Sequence, residues 1–84
     1  MFYVILYKTM FVEDCKEFTD YKEARKEYRR QVRNAWRRKT AWNQVQFHAS
    51  RGDVLERMQY WQGRTCYNIE LSLQKPGEGA YLKK

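Results

Sequence analysis

Lys22, Lys26, Arg29, Arg33 and Arg37 follow one another at intervals of three or four residues, with Arg30 beside them. On a helix that spacing gathers the cations on one flank. Such a flank can meet the phosphates of a nucleic acid, with an affinity that falls steeply as salt rises. Arginine dominates its second half, and the planar guanidinium fork fits phosphate geometry better than an ammonium does. Arg38 and Lys39 extend the patch toward Trp42, whose indole could stack on an unpaired base. The surrounding stretch, residues 21–39, holds nine basic residues against two acidic ones, Glu23 and Glu27, a surplus of seven. The whole chain carries a formal net charge of +7, so the excess belongs to one element and the remainder is balanced.

This crowding has a cost. Lys22/Lys26, Lys26/Arg30, Arg29/Arg33 and Arg33/Arg37 are like-charge i,i+4 pairs, each unfavourable by roughly 0.2–0.5 kcal/mol. A solvated face in a tolerant fold would explain them, and so would an anionic partner; the partner is the preferred reading. It is either a nucleic acid, RNA or DNA, or an acidic protein or nucleoprotein surface.

Catalytic chemistry is thinly represented. One histidine and two separated cysteines fall short of a zinc ligand set, so no metal and no cofactor is expected. Asp20-Tyr21-Lys22 has the acid-x-Lys form of half a nuclease site, but no second carboxylate is placed beside it, and helix capping accounts for Asp20. A metal-free ribonuclease would use His48 as acid or base with Arg57, Tyr60 or Arg64 near the scissile phosphate. An ordinary surface histidine on the polar side of a strand is the simpler reading of His48. Arg51-Gly52-Asp53 spells an adhesion tripeptide and reads here as a turn. No stretch carries a helix-turn-helix, zinc-finger, KH or RNP signature.

The elements that must hold these residues follow from periodicity. Phe2–Lys8 is a continuous apolar run, as expected of a central strand; at an edge it could instead pair with a second copy to make a homodimer. Glu13-Asp14 suggests a turn into a short pairing segment over 16–18. A long basic helix starts at Thr19 or Asp20, where Asp20 and Glu23 form a capping box. Tyr21, Ala24, Tyr28, Val32 and Ala35 make its core stripe, with Trp36 at the margin. Residues 45–49 alternate as a half-buried strand. Val54, Leu55, Met58 and Trp61 then fit one side of a second short helix that stops at Gly63, or else a strand in a meander. Residues 65–74 alternate cleanly as a strand, and Pro76-Gly77 ends it.

Together these elements predict an α+β fold: a small, mostly antiparallel sheet of three to four strands packed against one long basic helix, with a second short helix. A chain of 84 residues, 17% of them aromatic, has material for one core, so residues 1–75 are expected to form a single compact domain and 76–84 a polar tail. The apolar N-terminal run is too short for a signal or a membrane span, and Cys15 and Cys66 are expected as free thiols, which points to a soluble, cytoplasmic protein with no membrane partner. The function expected is a small non-enzymatic nucleic-acid-binding module. The alternative is a protein-interaction inhibitor of the phage or mobile-element kind, whose basic helix docks on an acidic surface, for example to block a nucleic-acid-binding host complex.

Overall fold

The apolar N-terminal run forms β1 (Phe2–Lys8), and it lies inside a sheet rather than at its edge. The computed structural model describes residues 1–9, 11–37, 45–49 (backbone only) and 54–75. After β1 come β2 (Phe11–Phe18), α1 (Tyr21–Trp36), β3 (Val45–Ala49), β4 (Val54–Gln62) and β5 (Thr65–Ser72). The strands form one five-stranded sheet of order β2-β1-β5-β4-β3, and every pairing is antiparallel. The α+β class holds, with a wider sheet than the three to four strands expected. Since β2 and β5 flank β1 on its two sides, β1 has no open edge to offer a second chain.

Two of the expected local elements are corrected, and both of these corrections trace to β-bulges. Residues 54–62, expected as a second short helix, are strand β4. Val54 pairs with Ser72 and Glu56 with Leu71, so Leu55 is an extra residue that interrupts the alternation. The turn expected at Glu13-Asp14 is likewise a bulge within a continuous β2. Leu6 faces Asp14 while Tyr7 faces Val12, so Glu13 is the extra residue of the bulge.

The chain reverses instead at Thr9, between the paired residues Lys8 and Phe11. Thr9 has φ +58°, a left-handed conformation that crowds a β-branched side chain. Its N–H donates to the Cys66 carbonyl at 2.6 Å, which ties the reversal to β5. Thr9→Gly removes the steric penalty but frees the unfolded chain. The net expectation is a gain of about 0.5–1 kcal/mol, read as a higher denaturant midpoint at unchanged slope. At the same end of the sheet, Gly63 sits at φ +61° between the paired residues Gln62 and Thr65, as the first central position of a two-residue type II′ hairpin requires.

α1 has 16 residues, about 24 Å of helix, and is shorter than the basic segment of the sequence. Asp20 is extended and its carbonyl accepts the Ala24 N–H at 3.0 Å, but its carboxylate makes no cap bond, so the expected capping box is not formed. Glu23 in the first turn still favours the positive end of the helix dipole. The helix packs across β5 and β1. Ala24 and Ala35 let it approach closely, and Tyr28 fills the space between them. These three join Val4, Met58, Ile69 and Leu71 in the core, with Phe2, Leu6, Phe18 and Tyr60 packed around it. The expected stripe is thus narrower at its ends: Tyr21 is 40% exposed and Trp36 43%.

Strand alternation sends Ile5, Glu70 and Ser72 to the opposite face of the sheet, and all three are buried. Glu70 is held there by Arg57, whose Nε donates to it at 2.9 Å. Cys15 and Cys66 are not joined in a disulfide. Among the described residues no helix is long and apolar enough to cross a membrane.

Candidate nucleic-acid interface

With α1 docked through its alanines and Tyr28, the cations of the sequence pattern are turned outward. Lys22, Lys26, Arg29, Arg33 and Arg37 are all exposed. At 100° per residue they fall within about 80° of arc, a single file about 22 Å long with steps of roughly 4.5–6 Å along the axis. None of the five makes an ion pair among the described residues.

The two arginines that flank this file are neutralised. Arg30 clasps Glu27, its Nε donating to Oε1 at 2.9 Å and its Nη2 to Oε2 at 2.6 Å. On the other flank Arg25 Nε donates to Glu56 of β4 at 3.1 Å. Arg30, expected among the contact residues, is therefore committed to a neighbour, while Lys22, Lys26, Arg29, Arg33 and Arg37 stand together. Arg38, Lys39 and Trp42 lie outside the described residues.

Glu27 is the organising acid of the helix. It accepts from Arg30, from Gln31 Nε2 at 2.8 Å and from Lys16 of β2 at 3.1 Å. The Arg30 bond above all, with those from Gln31 and Lys16, outweighs burial and holds its carboxyl at about 2, below the ordinary 4.5. A carboxylate lowered in the folded state stabilises the fold above the ordinary value and loses that contribution as pH falls from about 4.5 toward 2. Glu27→Gln is expected to lower stability at pH 7 by about 1–2 kcal/mol, the exposed partners screening the rest. The difference from the parent should shrink below pH 4.5 and vanish near pH 2, as urea unfolding at stepped pH would show.

Two shallow clefts run beside the file and share Arg29 and Arg33. One, of about 440 Å³, lies among Tyr21, Lys22, Arg25, Lys26 and these two arginines. The other, of about 320 Å³, is bounded by Tyr28, Val32 and Glu56. Tyr21, its ring 5.5 Å from that of Phe2, and Trp36 near the last turn are the exposed aromatics of α1. Both lie on the Arg25 side of the file by helical angle. Sequence periodicity puts them in or beside the core stripe, and at the two ends of the helix both are exposed.

Of the residues weighed for ribonuclease chemistry, the register brings His48 opposite Arg57 and parts Tyr60 from them. His48 pairs in register with Arg57 across β3 and β4, but the Arg57 guanidinium is held by Glu70. Tyr60, three residues along the strand, belongs to the opposite face and stacks on Tyr67 with centroids 5.0 Å apart. Among the described residues no three of His, Cys, Asp or Glu gather as metal ligands would. A further cleft of about 370 Å³ opens where α1 leaves β1 and β5. Asn68, whose Oδ1 is buried without a partner, lines it, but the cation file does not reach it.

Among the described residues, fold and surface together define a small α+β domain that carries one charged, outward-facing helix on a single antiparallel sheet. Compared with protein-family models, curated proteins and solved structures, the chain matches none.

Proposed function

We propose that the protein is a small non-enzymatic binding module that docks on nucleic acid through the outer row of α1. The observation that carries this reading is the sorting of charge on the helix. Acids take up Arg25 and Arg30 on the two flanks, while Lys22, Lys26, Arg29, Arg33 and Arg37 stay uncompensated in one line. A helix arranged only for solubility has no reason to keep its repulsive pairs in register while pairing the cations beside them. Lys22, in the first turn, also opposes the helix dipole, a further local cost that an anionic partner would repay.

The test is a salt titration of binding to labelled RNA and DNA. Five phosphate contacts predict a log–log slope of about −3.5 on single strands and about −4.5 on duplexes. Absence of binding at ~50 mM salt, or binding with no salt slope, rejects the reading. An acidic protein surface would then be the remaining occupant for the same row.

A further inference from the structure

The row of cations and the two exposed rings of α1 occupy adjoining strips of the same helix, and this juxtaposition says which form of nucleic acid the surface fits. Resting on the reading above, we infer that the partner is a single strand, its phosphates along Lys22, Lys26, Arg29, Arg33 and Arg37 and its bases turned onto Tyr21 and Trp36.

Three features carry this. First, the file is one cation wide. A duplex laid against the helix presents two backbones, and the second would meet the flanks where Arg25 and Arg30 are already neutralised and where Glu27 and Glu56 stand. A single strand needs only the file. Second, both rings lie on one side of it, as a strand with its backbone on one edge and bases on the other would require. Tyr21 is 40% and Trp36 43% exposed, in a chain whose small core would otherwise absorb large rings. Third, the cleft between Tyr21 and Arg33 is walled by the tyrosine ring and by arginine and lysine stems, a flat mixed surface on which a base face can lie. The distance from Tyr21 to Trp36, about 22 Å, corresponds to roughly four nucleotides of extended strand, at the low end of single-strand site sizes. Phosphates and base faces are common to RNA and DNA, so the file and rings recognise the strand by its unpaired state.

The experiment compares a labelled mixed-sequence 12-mer, as RNA and as DNA, with the same sequences closed into duplexes, all by fluorescence anisotropy at ~100 mM salt. The single strands should bind at least tenfold tighter than the duplexes. Trp36→Leu should weaken single-strand binding about tenfold, with duplex binding and the salt slope unchanged, whereas Trp36→Phe should retain most of the affinity; loss of one stacked base is worth about that factor. Tyr21→Leu should act in the same direction, and a thermal melt of each variant checks that the fold is kept. Duplex binding equal to or tighter than single-strand binding overturns this inference and leaves the cation row standing. Equal weakening of both forms by Trp36→Leu overturns the stacking role. Failure of all four ligands to bind removes the underlying reading as well.

Discussion

Arg29→Gln, Arg33→Gln and Arg37→Gln, made together, should weaken nucleic-acid binding about 100-fold at 0.1 M salt. Each phosphate contact to a single strand releases about 0.7 of a counterion, which at that concentration is roughly a fivefold effect, and three contacts multiply. The slope of log affinity against log salt should fall in step, from about −3.5 to about −1.4, so the loss can be told apart from a general disturbance. Folding should survive. The three side chains are exposed and make no ion pair among the described residues, and glutamine has nearly the helix propensity of arginine. The repulsive i,i+4 pairs Arg29/Arg33 and Arg33/Arg37 disappear, worth roughly 0.2–0.5 kcal/mol each, against the lost interaction of Arg33 with the helix C-terminus. The melting temperature should therefore stay within a few degrees of the parent. A variant that unfolds would make the row structural, and one that binds normally would remove it from the interface.

The second large effect is on stability. Leu71→Ala should cost about 3–4 kcal/mol, a large share of the 5–15 kcal/mol that holds a small domain together. Leu71 is fully buried on β5, between Val4 of β1 and Glu56 of β4, where the sheet meets α1. Its removal leaves a hole that neighbours on both sides are held too firmly by ladder bonds to fill. Leu73, two residues on and 42% exposed, provides the contrast: Leu73→Ala should cost no more than about 0.5 kcal/mol. Urea unfolding of the two variants measures the difference, and similar midpoints would show that β5 is not the keystone of the core.

How far the fold could be read from the chain depended on whether its periodicities were continuous. β1 was legible because every residue from Phe2 to Tyr7 is apolar and each of the two sheet faces it serves buries one of its sides. β5 was legible from its alternation, and α1 from its 3.6-residue stripe. β4 was not, because the bulge at Leu55 sets Val54 and Leu55 side by side, and Met58 and Trp61 then fall at helical intervals. Beyond the bulge, Glu56, Met58 and Tyr60 alternate with Arg57, Gln59 and Trp61, yet polar Glu56 sits on the core side and apolar Trp61 on the other. Glu56 is there to meet Arg25, and Arg57 to meet Glu70. These are long-range pairings that a local pattern reports as noise.

The candidate site shows the same division. The outward flank followed from helical spacing alone. Arg30's partner stood three residues away at Glu27 and could have been found from the i,i+3 relation. Arg25's partner could not, because it comes from β4, whose local pattern is helix-like. The bulge at Glu13 had a true signal behind it, two adjacent acids that break an apolar rhythm, but a break in rhythm does not distinguish a turn from a bulge.

The position of β5 between β1 and β4 has a consequence for how the chain comes off the ribosome. The first hairpin and α1 are synthesised well before the strand that joins them to the rest, and the partners of β1 on that side are 59–69 residues away in sequence. Until β5 emerges, Val4, Ala24 and Tyr28 have no Ile69 or Leu71 to close against. Folding must then wait for nearly the whole sheet and proceed through distant contacts, which favours slow closure. A nascent chain paused before residue 65 would present an apolar helix face and an unpaired β1 edge, the kind of surface that chaperones hold and that other unfinished chains join.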